Sequence, residues 1–178
     1  LVEAIYWHPG LKFTVDRIYV LSPIRFTNIR RNEVKATLLA SAALSAAKGG
    51  TPPVLYTTQE IQQRAAMVLQ DVHYVIDCHF DLTGKAAPSD NPGKFQDILR
   101  RRLAKGQCYH TPYFGCREFP ASFREWQGGT IPAIELTQDL GWMLYDMDYS
   151  NPKDIKAQFF RARLDRGVLD CRNAEVHT

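Results

Sequence analysis

Residues 91–106 carry signals for both ends of one helix, and this limits the possible folds more than any other stretch of the chain. Asn91 has a side chain that can cap a helix, and Pro92 suits the first helical position. Gly106 stands where a left-handed residue commonly ends a helix. Four apolar residues between these signals recur at helical spacing and predict one buried face. That face comprises Phe95, Ile98, Leu99 and Leu103, and the opposite line comprises Lys94, Arg101 and Lys105.

Extended segments lie on both sides of this helix. Residues 73–82 alternate between apolar and polar side chains, which predicts a strand of a half-buried sheet. Residues 108–119 are aromatic and predicted to be extended, with breaks at Pro112 and Gly115. By the same criteria a short helix ends before Pro9, strands span 13–25, 140–149 and 157–164, an extended stretch spans 25–34, and helices span 36–47 and 57–70.

This order of elements predicts an α+β protein. If one strand preceded Leu1, the order would be β-α-β-insert-β-α-β, the ferredoxin-like (RRM-like) layout with an antiparallel sheet. The helix at the start has no cap before it, so we expect that a strand is missing from the start of the sequence. A composition shift at residues 127–129 predicts a boundary between a ferredoxin-like RNA-binding domain, 1–126, and a small C-terminal β extension with a tail, 127–178.

Charge is concentrated around the predicted helix. Residues 91–119 hold six Lys or Arg and two acids, whereas the rest of the chain is nearly balanced in charge and the whole has a formal net charge of +3. Basic side chains beside aromatic rings suit RNA, because phosphates need cations and flat bases need stacking surfaces. The four cysteines lack metal-binding or disulfide spacing, so we expect reduced thiols in a cytoplasmic protein without metal or other cofactor. No apolar run reaches membrane-spanning length, and no membrane partner is expected.

Four segments together resemble one known family. The strings IYWHP, PIRFTNIRRNEV, DNPGK and KGQCYHTPYFGCREFPASF are similar to the type I-C CRISPR-associated Cas-five-d family, from residue 1 to about residue 169. The resemblance implies a ferredoxin-like domain with a C-terminal β extension. It also implies a metal-independent endoribonuclease that cuts CRISPR precursor RNA at the repeat hairpin. Such an enzyme keeps the 5′ handle, within a surveillance complex that contains other type I-C subunits.

The resemblance also implies catalytic residues. A Tyr and a Lys of the family correspond to Tyr6 and Lys94, whereas the position of the family's adjacent His is occupied by Phe95. Metal-free RNA cleavage needs a group near the ribose 2′-OH, a cation for the phosphate, and a donor for the leaving oxygen. Lys94 suits the cation, at a helix start whose free N–H groups also favour phosphate. His110 and His8 are candidate substitutes for the absent imidazole.

A second set of residues is predicted to bind RNA. Asn side chains can contact base edges, and Arg side chains can hold phosphates with two hydrogen bonds. For Arg117 an ion pair with Glu118 or another acid is the competing interpretation. Because Phe95 carries no transferable proton, a subunit that binds the RNA handle without cutting, with duplex DNA as a further partner, is the alternative function. The predicted RNA-binding residues are Arg25, Asn28, Arg30, Arg31, Lys35, Arg101 and Arg117.

Overall fold

A computed structural model describes all residues, 1–178, as an α+β protein, and this confirms the predicted class. No helix has the length and apolar character needed to cross a membrane. The helices are α1 (Val2–Ile5), α2 (Ala40–Ala47) and α3 (Pro92–Lys105). The strands are β1 (Leu11–Val20), β2 (Phe26–Val34), β3 (Ile61–Leu69), β4 (Tyr74–Leu82), β5 (Gln138–Asp148), β6 (Lys156–Asp165) and β7 (Val168–Asp170).

The chain forms two compact units. The first comprises Leu1–Pro23 and His73–Thr178 and contains a five-stranded sheet in the order β4-β1-β7-β6-β5. The second comprises Ile24–Val72 and contains the antiparallel pair β2-β3 and helix α2. All strand pairs in both units are antiparallel. The boundary predicted at residue 127 lies inside the first unit, and it stays a prediction.

The predicted helix at 57–70 is wrong. Most of this stretch, Ile61–Leu69, forms β3, which pairs with β2 from Phe26 opposite Leu69 to Val34 opposite Ile61. The apolar residues of this stretch fit a helical period, but only Ala66 and Val68 are half-buried, two residues apart as in a strand. Pairing with β2 satisfies the backbone along the whole segment, and this long-range partner outweighs the local pattern.

The predicted extended segment at 108–119 does not join the sheet. Its only ladder contact is an isolated bridge between Tyr113 and Pro120, and Gly115 turns the chain at a φ of 71°. Pro112 is fully buried and Tyr74 packs edge-on against Phe114, with ring centroids 5.6 Å apart. Proline lacks the N–H that strand pairing needs and the positive φ of Gly115 turns the chain, so packing rather than strand pairing fixes this segment.

Strand β7, which the sequence pattern missed, joins the C-terminal hairpin to β1. It pairs with Arg17–Tyr19 of β1 on one side and with the end of β6 on the other. Arg166 and Gly167 form the two-residue turn before it, with φ values of 45° and 75°. Two successive positive φ angles are typical of a type I′ hairpin turn, whose twist matches that of the strands. A three-residue strand is too short to show an alternation pattern in the sequence.

Two apolar groups form the core of the first unit. Tyr6, Leu11 and Phe95 are buried together, and half-buried side chains from β1, β4 and α3 pack around them. The second group lies on β6, where the buried residues Phe160, Ala162 and Leu164 alternate with exposed ones.

The alternation predicted for 73–82 is confirmed, since Ile76, Cys78 and Phe80 are half-buried while Asp77, His79 and Asp81 are exposed. The helix predicted from the Asn91 cap to Gly106 is confirmed at both ends.

The Gly167 turn supplies a test of this architecture. A Cβ at Gly167 would lie 2.3 Å from the Ile134 carbonyl oxygen, whereas a Cβ at Gly106, also at positive φ, meets nothing within 4 Å. We therefore expect Gly167→Ala to lower the free energy of unfolding by about 2–5 kcal/mol. Gly106→Ala carries only the backbone penalty of about 1–2 kcal/mol. Urea unfolding followed by circular dichroism measures both, and equal losses would contradict the close approach at β7.

A second test concerns the bulge in β1. Asp16 is the extra residue between the pairs Val15–Cys78 and Arg17–Asp77, and its carboxylate lies 2.7 Å from Nδ1 of His79. This hydrogen bond raises the pKa of His79 above 6.5, and nearby Asp81 and Asp77 add to the rise. The stabilisation is complete below about pH 6.5 and is lost as the pH rises through the higher folded-state pKa.

Asp16→Asn should therefore shift the NMR titration midpoint of the His79 ring to lower pH. Asp97→Asn, a similar change on the distant helix α3, is the control and should leave that midpoint in place. An unchanged midpoint in Asp16→Asn would show that the bulge carboxylate does not hold the imidazolium.

Candidate functional site

The side chain of Phe95 is the centre around which the predicted catalytic residues meet. Phe95 is 1% exposed, and its ring centroid lies 6.3 Å from that of Tyr6 and 4.9 Å from that of His8. The Nζ of Lys94 lies 5.7 Å from the same ring. Tyr6 and His8 follow α1, whereas Lys94 and Phe95 belong to α3. The apolar ring thus fixes the positions of three polar groups from two elements.

A nearly buried carboxylate holds the Lys94 ammonium. The Nζ of Lys94 donates to Oδ1 of Asp90 over 2.7 Å, and the Asp90 side chain is 3% exposed. The Ala87 N–H donates to the other oxygen over 2.8 Å. The Lys94 hydrogen bond, followed by that of Ala87, lowers the pKa of Asp90, so the carboxylate stays charged at neutral pH. The cation is therefore held at one place, with part of its charge already balanced.

The start of α3 offers fewer free N–H groups than the sequence suggests. Oδ1 of Asn91 accepts from the Lys94 N–H over 2.9 Å, and the Asn91 carbonyl accepts from Phe95 over 3.4 Å. Pro92 has no N–H to donate. Only the Gly93 N–H remains without a partner in this turn. The backbone donors expected to favour phosphate are thus mostly occupied, and the Lys94 side chain is the main group at this position that could bind an anion.

Tyr6 is buried in the core and positively charged groups surround its ring. It is 8% exposed, and the Arg102 guanidinium carbon lies 5.0 Å from the ring centroid. Arg102 also donates to the Ile5 carbonyl over 3.1 Å. Burial raises the pKa of the Tyr6 phenol above 10.0, although the charges of Arg102 and Lys94 offset part of the rise. Tyr6 is therefore a neutral hydrogen-bonding group at pH 7 rather than a proton acceptor.

His8 is the imidazole that the fold brings to Phe95. Its Nδ1 accepts from the Gly10 N–H over 3.0 Å, so the proton of the neutral ring lies on Nε2. His8 is also among the residues whose electrostatic influence lowers the pKa of Asp90, which reflects how near the two residues are. An N–H donor thus stands beside Phe95, the position where the family resemblance expects a histidine.

His110 and Arg117 lie in a different place, a cleft of about 770 Å³ beside α1. We call it the aromatic cleft, and its polar and aromatic lining includes Trp7, Tyr109, His110, Tyr113 and Arg117. The predicted catalytic histidine His110 is therefore not grouped with Tyr6 and Lys94. Arg117 is exposed, and the choice between an RNA contact and a structural pair with Glu118 or another acid stays a prediction.

The three consecutive arginines of α3 point in three directions, as their helical positions require. Arg100 approaches Glu125 at 3.9 Å, and Arg102 turns toward Tyr6. Arg101 alone is exposed without an acidic partner, and its Nε donates to the Asp97 carbonyl over 3.4 Å. Of this run, Arg101 is the residue free to bind an anion.

In the second unit, alternation along β2 separates two predicted RNA-binding groups. Asn28 and Arg30 are exposed on one face, whereas Arg31 is half-buried on the other and pairs with Glu33 at 3.3 Å. Lys35, just after β2, is exposed and has no acidic partner. Arg25 forms an ion pair with Asp71 at 3.0 Å. The sequence grouped Arg30 with Arg31, but adjacent strand residues face opposite sides.

Sequence reasoning missed two site residues, Asp90 and Arg102. Asp90 lies four residues before Lys94, the spacing at which charged side chains of a helix meet. It precedes the helix cap at Asn91, so it lies outside the predicted helix on which such a spacing is expected. Nothing in the sequence signals that Arg102 reaches the ring of Tyr6. Arg102 is brought there by its hydrogen bond to the carbonyl of Ile5, which lies 97 positions earlier in the chain.

Comparisons with known proteins agree on one family. Residues 1–172 match the Cas_Cas5d family model, described as CRISPR-associated protein (Cas_Cas5). The protein named CRISPR pre-crRNA endoribonuclease Cas5d of Mannheimia succiniciproducens is 42% identical over 178 residues, which cover 96% of this chain and 78% of that protein. The protein of the same name from Thermus thermophilus is 36% identical over 149 residues, 84% of this chain and 58% of that protein.

Two crystal structures share the fold. One is a functionally uncharacterized protein, SMU1763c, from Streptococcus mutans, with a TM-score of 0.67 and 21% identity. The other is described as a CRISPR-associated protein, with a TM-score of 0.67 and 19% identity. Each match covers 99% of this chain and 80% of the other. These similarities, with the antiparallel sheet, are consistent with the predicted ferredoxin-like fold.

Proposed function

The chain belongs to the Cas5d family of CRISPR-associated proteins, and we propose that it is an endoribonuclease that processes CRISPR precursor RNA. The observation that carries the proposal is the grouping of Lys94, Tyr6 and His8 around the buried Phe95. Both named relatives carry the description pre-crRNA endoribonuclease, which supports the same substrate for this chain.

We propose a reaction that needs no metal ion. The ribose 2′-oxygen attacks the adjacent phosphorus while the bond from phosphorus to the 5′-oxygen breaks. A 2′,3′-cyclic phosphate and a 5′-hydroxyl end result. The 2′-OH proton passes to solvent, and a protein donor supplies the proton that the leaving oxygen gains.

Lys94 and Tyr6 have separate roles in this reaction. Lys94 stabilises the additional negative charge on the phosphate, and Asp90 keeps its ammonium at a fixed place beforehand. Burial keeps the phenol of Tyr6 neutral, and this phenol orients the 2′-OH by a hydrogen bond. Holding the reacting groups in place contributes more here than proton abstraction by the phenol, which its raised pKa opposes.

His8 takes the place of the histidine that Phe95 replaces. The ring of His8 lies against Phe95, and its Nε2–H is the donor that can approach the leaving oxygen. His110 is the second candidate for this role. It is exposed, and its ring contacts Tyr109 with centroids 4.2 Å apart rather than the group around Phe95.

RNA binding extends to other basic residues. Asn28 and Arg30 lie exposed on one face of β2, with Arg25 and Lys35 near its two ends, and Arg101 is exposed on α3. We propose that these groups hold the repeat RNA and then its 5′ handle. The protein would act in the cytoplasm within the type I-C surveillance complex, with its other subunits and with duplex DNA as further partners.

A subunit that binds the RNA handle without cutting it is the alternative function. The observation that favours it is Phe95 itself, because a fully buried phenyl ring occupies the position of the expected imidazole. The ion pair with Asp90 also reduces the charge that Lys94 offers to phosphate.

Cleavage of a cognate repeat RNA in EDTA distinguishes the two functions. We expect cut RNA with cyclic phosphate ends from the unchanged protein, and a rate about 10²–10³-fold lower for Lys94→Ala, because the phosphate charge loses its cation. Lys105→Ala removes the same charge at the other end of α3 and should keep the rate. His8→Ala should slow cleavage more than His110→Ala does.

Three outcomes would count against these assignments. RNA that is bound but uncut supports the non-cleaving subunit. Unchanged cleavage by Lys94→Ala removes Lys94 from the site. A larger effect of His110→Ala than of His8→Ala returns the donor role to His110.

Binding through β2 has its own test. Arg30→Ala should weaken RNA affinity and lower the slope of its salt dependence by about one ion, because one phosphate contact is lost. Arg64→Ala is the matched control, since Arg64 lies opposite Arg31, on the other face, and pairs with Glu33 at 3.3 Å. Filter binding at several salt concentrations measures both, and equal effects would rule out a face-specific contact.

A further inference from the structure

The aromatic cleft beside α1 contains large rings that are exposed and yet fixed in place. Trp7 is 52% exposed and Tyr109 is 59% exposed, and their ring planes are 28° apart with centroids separated by 6.5 Å. Exposed aromatic rings that are stacked and oriented form a flat surface rather than part of a core. A planar ligand can extend such a stack.

The backbone holds these rings before any ligand arrives. The Tyr109 N–H donates to the Ala4 and Ile5 carbonyls over 2.9 and 3.1 Å, and the His110 N–H donates to the Ala4 carbonyl over 2.9 Å. The segment that carries Tyr109 is thus tied to the end of α1, next to Trp7. Buried Pro112 anchors the same segment on its other side. Little conformational entropy remains to be lost on binding.

The charges around the cleft favour a nucleic acid. Arg117 lines it and is exposed, so its guanidinium can reach a phosphate. His110 adds a hydrogen-bonding ring, and Glu3 is the one acid of the lining, suited to accept from an exocyclic amine of a base. Stacked rings beside an exposed cation are the combination that single-stranded RNA binds, because bases stack while phosphates pair with Arg.

We propose that the aromatic cleft binds unpaired bases of the RNA that flank its hairpin, stacked on Trp7 and Tyr109, with Arg117 on the adjoining phosphate. This rests on the proposed RNA-processing function and deepens it. The site is separate from the group around Phe95, so it governs which part of the RNA is held rather than the chemical step. A protein partner that covers the same rings is the competing occupant, and the test below separates the two.

The test uses the full-length protein and two uncleavable repeat RNAs with a 2′-deoxy sugar at the cut position. One RNA is a hairpin with single-stranded flanks and the other is the same hairpin without them. Trp7→Ala and Tyr109→Leu should each weaken binding of the flanked RNA about 5- to 150-fold, the range for loss of one stacked base. Binding of the bare hairpin should not change. Trp7→Phe should restore most of the affinity, because a ring is again present.

Trp142→Ala is the control, since Trp142 is similarly exposed, at 55%, and lies on β5. Tyr109→Leu keeps an apolar side chain and lacks only the stacking ring, so it stays informative if Trp7→Ala folds poorly. Equal affinity of Tyr109→Leu and the unchanged protein for the flanked RNA overturns the proposal and leaves the rings to a protein partner. If the unchanged protein binds neither RNA, the proposed RNA-processing function itself fails, and that outcome is distinct from the first.

Discussion

The packing of Phe95 is the contact on which the candidate site depends. One apolar ring, almost fully removed from water, joins the end of α1 to the start of α3 and positions Tyr6, His8 and Lys94 around it. Burial of a phenyl side chain contributes about 1.5–3 kcal/mol. That energy holds the polar groups without requiring them to bond to one another. The site is thus organised by a residue that takes no part in proton transfer.

This arrangement changes the meaning of a missing histidine. The family resemblance leads us to expect an imidazole directly after Lys94, whereas the residue here is Phe95, whose ring lies 4.9 Å from that of His8. In the mechanism that we propose, the donor therefore comes from the segment after α1 instead of from α3. The ion pair with Asp90 holds the Lys94 ammonium in place whichever histidine donates the proton. On this proposal, a proton donor that is absent at one sequence position is supplied from another position that lies nearby in the structure.

Local signals predicted the parts of the chain that local forces determine. The Asn91 cap, the Gly106 stop and the alternation of 73–82 each depend on neighbouring residues, and all three were confirmed. The segment 57–70 was predicted wrongly because its partner, β2, lies about thirty residues earlier and its apolar spacing suits either structure. Among the candidate site residues, Tyr6 and Lys94 were identified from the family resemblance. Asp90 and Arg102 are recognised only by their contacts in the folded structure. The separation of Arg30 from Arg31 was foreseeable once β2 was known to be a strand.

Strand β7 has a consequence for how the sheet comes apart. Only three residues stand between the β4-β1 pair and the β6-β5 pair, and the turn at Gly167 sets their position. Because β7 forms so few hydrogen bonds with its neighbours, the sheet is weakest there. The longer strand pairs on either side, β4-β1 and β6-β5, are each paired along most of their length. Partial opening should follow this line and release β5 and β6 together as one cooperative unit. Their amide hydrogens would then exchange with solvent as a group, at a lower energy than those shared by β1 and β4.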